Sequence, residues 1–115
     1  MKLITRNHYL NKLIDVKNTP DIKVITGVRR SGKSKLMDAF IDILEKEENA
    51  NVIRIKLNLK EFEKLKDKEE LYKYVQDHYK KEYTNYVFVD EIQLCKDFEV
   101  IINSLHEEEK FDIYL

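Results

Sequence analysis

A chain of 115 residues fits one ordinary domain, and its 43% hydrophobic content is enough for one core and not two. Lys+Arg 21 against Asp+Glu 22 leaves a formal net charge of -1, which argues against a strongly electrostatic nucleic-acid binder, though a local basic patch stays open. No apolar run approaches about 18 residues, the start Met1-Lys2-Leu3-Ile4-Thr5-Arg6 lacks a signal-peptide core, and Cys95 is the single cysteine. No membrane-spanning helix and no internal disulfide are therefore expected, and the expected location is the cytoplasm.

Asn7 can cap a first helix, in which Tyr9, Leu10, Leu13 and Ile14 form one apolar stripe. Asn18-Thr19-Pro20-Asp21 breaks it. Ile22-Lys23-Val24-Ile25-Thr26 then reads as a short strand running directly into Gly27-Val28-Arg29-Arg30-Ser31-Gly32-Lys33-Ser34. This stretch fits G-x-x-x-x-G-K-[ST], the phosphate-cradling P-loop. The chain's only two glycines stand at the two positions that the loop requires.

Each position has a physical reason. Gly27 and Gly32 let the backbone take angles that a Cβ forbids, so that consecutive N–H groups converge on an anion. Lys33 can reach the β- and γ-phosphates as a mobile point charge, and the Ser34 hydroxyl is a Mg²⁺ ligand. Lys33 and Lys35 in a first helical turn are electrostatically wrong for an empty helix, and a bound phosphate reverses that penalty. Val28, Arg29, Arg30 and Ser31 fill the variable positions. The two arginines are either phosphate contacts or simply exposed side chains on a tight loop.

The following helix is expected from about Lys33 to Glu48, with Leu36, Met37, Phe40, Ile41 and Leu44 inward. Ile53, Ile55, Leu57 and Leu59 alternate with polar residues, the pattern of a strand with one wet side near a sheet edge. A charge-rich stretch over 60–68 has Phe62 and Leu65 as anchors. Asp67 can start a third helix reaching about Glu82, with Leu71, Val75, His78 and Tyr79 inward. After a turn at Thr84-Asn85, Tyr86-Val87-Phe88-Val89 is the longest unbroken apolar run, suited to a strand buried on both faces. A fourth helix is expected over about 97–109, with Phe98, Ile101, Ile102 and Leu105 inward. Asp112-Ile113-Tyr114-Leu115 opens another strand.

Strands alternating with helices predict an α/β sandwich around a parallel sheet, which binds ligands at the carboxyl ends of its strands. Thr26-Gly27 and Asp90-Glu91 both fall at such ends. Four apolar residues followed by Asp-Glu form the Walker B pattern. Asp90 would hold the Mg²⁺ that Ser34 touches, and Glu91 would orient and polarise an attacking water. A second acid directly after the first suits water attack, whereas small-molecule P-loop kinases exclude that water. Gln93 follows closely enough to approach the γ-phosphate. His8, His78 and His106 show no metal-ligand spacing, Cys95 has no base beside it in sequence, and Glu107-Glu108-Glu109 reads as a solvated helix end.

Ile25 to Ser34 and Val87-Phe88-Val89-Asp90-Glu91-Ile92-Gln93 together resemble prokaryotic AAA-type ATPases whose P-loop reads TGVRRSGKS and whose Walker B reads VDEIQ. Arg6, Tyr9-Leu10 and Leu13 are similar to that family's N-terminal helix. The resemblance implies a P-loop NTPase sheet of the ASCE type with strand order 5-1-4-3-2, ATP and Mg²⁺ as ligands, and ATP hydrolysis as activity. Glu91 and Lys33 would be the catalytic residues, Gly27 to Lys35 the nucleotide-binding ones, and Ser34 and Asp90 the metal ligands. It also implies a longer family chain. Residues 1–20 would form the N-terminal helix and 21–115 an incomplete P-loop core, truncated within the fourth core strand, with impaired turnover and the family's C-terminal part as its missing partner. Three functions compete: an ATPase fragment, a nucleotide-binding remnant serving as an interaction module, and a small-molecule kinase. ATP or ADP is the expected ligand. Homo-oligomerisation is left open, and no membrane partner is indicated.

Overall fold

Tyr86-Val87-Phe88-Val89 can be satisfied only by a strand covered on both sides, and that strand is the middle of the sheet. The computed structural model describes residues 10–25 and 30–115, with the side chains of residues 30–34 excepted. Strands β1 (Ala50–Lys56), β2 (Thr84–Asp90) and β3 (Phe111–Tyr114) form a parallel sheet in the order β1-β2-β3. Residues 22–25 extend it past β3. Lys23 bridges Tyr114 in parallel, and the Lys23 N–H donates to the Ile113 carbonyl at 2.9 Å. The Leu115 N–H donates to the Lys23 carbonyl at 2.8 Å, and the Ile25 N–H to the Leu115 carbonyl at 2.9 Å. The order is therefore that of a P-loop sheet, with the chain's first extended segment beside its last strand and β1 at the far edge. The strand expected at Ile22–Thr26 is reduced to one bridge and its flanking bonds, because β3 offers it only a short partner. Thr26 lies outside the described residues.

Alternation sorts the side chains into two layers. Ile53 and Ile55 of β1, Val87 and Val89 of β2, and Ile113 point to one face, where they meet Leu71, Val75, Ile101, Ile102 and Leu105. Tyr86, Phe88 and Tyr114 point to the other, with Ile25, Leu13, Leu36, Met37, Phe40 and Leu44. Helices α2 (Lys68–Asp77) and α3 (Phe98–Glu107) cover the first face. Helix α1 (Arg30–Leu44), together with helical residues 10–16, covers the second. The Phe88 and Tyr114 rings stack at 4.6 Å between centroids, with the Phe40 ring edge-on to both.

The helices are shorter than the apolar spacing predicts. Helix α1 ends at Leu44 and unwinds through tighter turns, with Lys46 N–H to Ile43 O and Glu47 N–H to Leu44 O, before Asn49 turns left-handed. Asp67 does cap α2, accepting from the Glu70 N–H at 3.1 Å. That helix stops at Asp77, and His78, expected inward, is exposed and stacked on Tyr74 with ring centroids 4.0 Å apart. The chain beyond it is captured by the buried side chain of Asn85, which accepts from the Lys80 N–H and donates to the Lys80 and Tyr83 carbonyls. The charge-rich stretch forms a 3₁₀ helix, Lys60–Lys66, with Leu65 buried.

A buried polar network ties the amino end of the sheet to the first segment. The Lys23 ammonium meets Asp112 Oδ1 at 2.5 Å, with side chains 7% and 6% exposed, and donates to the Thr19 carbonyl at 2.6 Å. Asp112 Oδ2 accepts from the Asn18 N–H and the Tyr114 hydroxyl, both at 2.8 Å. Alongside, the Tyr86 hydroxyl donates to Glu47 at 2.9 Å, and Lys17 pairs with Glu47 at 2.7 Å. Burial first, and then the bond to Glu47, pushes the Tyr86 phenol up to about 12.

Two outcomes follow from this network. Asp112→Ala leaves an uncompensated ammonium in the interior and should cost about 3–5 kcal/mol in denaturant unfolding, more than the double replacement Lys23→Met/Asp112→Leu. A phenol whose folded pKa is raised from 10.0 to about 12 stabilises fully below pH 10.0, and that contribution is lost as pH rises through 12. Melting temperatures should therefore fall across this window, and less steeply in Tyr86→Phe.

Candidate functional site

Sheet register decides which residues share the carboxyl end. Phe88 is level with Tyr114, and Tyr114 with Lys23. Two residues further on, Asp90 and Ile25 are level, separated by the width of β3, about 10 Å at the usual strand spacing. Ile25, the last described residue before α1, thus stands at the height where β2 ends at Asp90. Among the sequence-predicted residues, Gly27, Val28 and Arg29 lie outside the described residues. Arg30, Ser31, Gly32, Lys33 and Ser34 occupy the start of α1, where the backbone alone is described, and Lys35 is exposed. The first turn of α1 holds no acidic residue, so nothing in the helix itself offsets its positive N-terminal end.

Asp90 is 5% exposed. Among the described residues its cationic partner is Arg54, whose Nη2 stands 3.5 Å from Asp90 Oδ2. Arg54 projects from β1 on the α1 face, in line after Ala50 and Val52, which pack on the apolar cluster there. Its other nitrogen, Nη1, contacts Asp38 of α1. One guanidinium thus lies between two carboxylates, an arrangement with excess negative charge. Sequence reading passed over both Arg54 and Asp38. The signal available was a charged residue on the strand face whose earlier positions are apolar.

Glu91 adopts φ 58 and ψ 46, the left-handed region, and this turns the chain sharply off the sheet into a 3₁₀ turn, Ile92–Leu94. The Leu94 and Cys95 N–H groups donate to the Glu91 and Ile92 carbonyls. Gln93 donates from Nε2 to Glu91 Oε1 at 2.5 Å, so it holds the glutamate's side chain. His8 lies outside the described residues, and His106 meets the Pro20 carbonyl at 2.5 Å. Cys95 is buried, and burial pushes its thiol up. Glu108, expected in a solvated helix end, is half-buried and accepts from the Tyr72 hydroxyl at 2.5 Å and Gln76 Nε2 at 2.7 Å, joining α3 to α2. A cleft of ≈ 580 Å³ lies at the opposite, amino end of the strands, between Asn85, His106 and Lys110.

Comparison with known proteins places the chain in a family. A family model described as "AAA domain" matches residues 19–115. An uncharacterized protein of Haemophilus influenzae is 35% identical over 116 residues, an alignment that covers 98% of this chain and 29% of that protein. The chain therefore spans less than a third of that relative's length. No solved structure matches the chain.

The backbone of Glu91 supplies a direct test of the kink. A non-glycine residue in the left-handed region costs about 1–2 kcal/mol, and glycine avoids that cost. Glu91→Gly should therefore raise stability in urea unfolding by about 0.5–1 kcal/mol despite the greater chain entropy of glycine and the loss of the exposed Gln93 contact.

Proposed function

The chain belongs to the AAA domain family, and on that footing we propose that it binds ATP or ADP with Mg²⁺ at the carboxyl end of the sheet and activates water toward the γ-phosphate. The observation that carries the proposal is the register that brings the exit from Ile25 and the end of β2 at Asp90 to one height, one strand apart. Gly27 to Gly32 would present backbone N–H groups to the phosphates, together with the free N–H groups and dipole of α1. Lys33 would contact the β- and γ-phosphate oxygens, Ser34 and Asp90 would hold Mg²⁺, and Glu91 would accept the proton of the attacking water.

The donor chemistry fits the metal. Asp90 offers a hard carboxylate oxygen, and its buried surroundings already hold a positive charge beside it in Arg54. Mg²⁺ would supply charge neutralisation across the phosphate oxygens. What this chain contributes to water activation is the aim of one carboxylate. Glu91 stands at the end of β2 on a kinked backbone, and Gln93 restrains its side chain through Oε1. Adjacent acids divide the work: the buried Asp90 faces the sheet's α1 side, and the half-buried Glu91 stands outside the ladder.

Calorimetric titration with ADP and Mg²⁺ tests the binding half. Lys33→Ala removes charge-assisted contacts worth roughly 1.5–3 kcal/mol and should weaken binding about 10- to 100-fold. Equal affinity in the variant would sink the assignment. The second half is tested by phosphate release in a preparation freed of contaminating ATPases. Glu91→Gln keeps shape and hydrogen bonding, so it should bind ADP nearly as well as wild type and lose most of whatever hydrolysis the chain performs. Undiminished hydrolysis would exclude Glu91 as the base.

A further inference from the structure

We propose that Arg54 is a built-in counter-ion that stands in for the divalent cation at Asp90 and passes to Asp38 when the cation binds. The inference rests on Asp90 being the metal ligand proposed above. Three observations carry it. First, the two contacts of Arg54 are unequal. Nη1 is closely engaged with Asp38, whereas Nη2 is 3.5 Å from Asp90, beyond the roughly 2.7–2.9 Å of a charge-assisted bond. Asp90 is therefore balanced by charge without being locked by a short bond, and the guanidinium is already displaced toward its other partner.

Second, burial is unequal. The Asp90 side chain is 7% exposed and that of Asp38 is 56% exposed, with Arg54 between them at 20%. Water can compensate Asp38 but not Asp90, so the carboxylate that needs a neighbouring cation at all times is Asp90. Third, Arg54 lies on the strand face that otherwise packs into the core through Ala50 and Val52, and it is level with the buried Phe88. Lys56 follows on the same face, level with Asp90 itself, yet the cation that meets Asp90 is Arg54, reaching forward from one step earlier on the strand. A divalent cation at Asp90 repels the guanidinium, and Asp38 receives it without further rearrangement of the backbone. The consequence is a site that is charge-balanced with or without metal, at the expense of metal affinity.

The test is Mn²⁺ binding to the full chain without nucleotide, read from the free Mn²⁺ signal in electron paramagnetic resonance. Arg54→Met should bind Mn²⁺ about 3- to 10-fold tighter, the scale of one part-buried competing ion pair. Asp38→Asn, at an exposed position, should weaken Mn²⁺ binding by a similar factor, because Arg54 then has Asp90 as its remaining partner. That weakening should vanish in the Arg54→Met background. A purely structural Arg54 that props Asp90 in place predicts the opposite sign for Arg54→Met, and equal or weaker binding would overturn the proposal. Should Arg54→Met not fold, Asp38→Asn decides alone: weaker binding supports the exchange, and unchanged binding refutes it. Asp90→Asn separates the two levels. If it abolishes Mn²⁺ binding while Arg54→Met does not tighten it, the counter-ion role fails and the metal assignment stands. If it leaves Mn²⁺ binding intact, the metal assignment itself fails.

Discussion

The ion pair between Lys23 and Asp112 is the constraint on which the rest of the molecule hangs. Residues 22–25 touch the sheet through a single bridge and three backbone bonds, with Val24 62% exposed on the outer side. So short a pairing carries little register information of its own. The buried ammonium and carboxylate supply it. A slip along β3 would leave both charges in the interior without partners, a state several kcal/mol above the observed one. Register here is not a local matter, because the chain leaves this segment into the glycine-containing loop. The height of Lys23 sets the height of Ile25, and so the level of this segment relative to the end of β2 at Asp90.

Polar groups at the two ends of the sheet are handled in opposite ways. At the amino end every partner belongs to the protein, and Asp112, Tyr114, Asn18 and Thr19 close around Lys23. At the carboxyl end charges are left out of balance. The first turn of α1 has no acid, Asp38 and Asp90 share one guanidinium, and Glu91 is held by a neutral glutamine. The fold thus places its closed polar network and its unbalanced charges at opposite ends of the same strands, and the carboxyl end is the side that ligands of α/β sheets approach.

Much of this was legible in the sequence because it depends on local pattern. The unbroken run Tyr86 to Val89 specified a central strand, and Leu36, Met37, Phe40, Ile41 and Leu44 specified the buried face of α1, where they are 0–7% exposed. The alternation through Ile53 and Ile55 specified an edge strand. What escaped were partnerships between residues distant in the chain. Arg54 looked like the wet side of an edge strand, and only its juxtaposition with α1 and β2 reveals it between Asp38 and Asp90. Glu108 looked solvated until Tyr72 and Gln76 were brought beside it. Helix ends were misjudged for a related reason: α2 stops at Asp77, where Asn85, supplied from beyond the turn, captures the backbone. Glycine gave no help in locating turns outside the loop. Among the described residues, Asn18, Asn49, Glu82, Glu91, Asp97 and Glu109 take the left-handed positions at the element junctions.

The pairing of Lys23 with Asp112 spans 89 positions of sequence, and this has a kinetic consequence. A growing chain has made the segment before the loop, the loop itself, α1, β1 and β2 before the strand that must lie between them exists. At about 5–20 residues per second of synthesis, the ammonium of Lys23 waits several seconds or more for β3, and the open side of β2 waits roughly 1–4 seconds. Closure of so long a loop also slows refolding of the whole chain relative to a protein built from neighbouring contacts. The level of Ile25 relative to Asp90 is thus acquired in one late step, when β3 inserts between two elements already made, so the sheet should close abruptly and not by degrees.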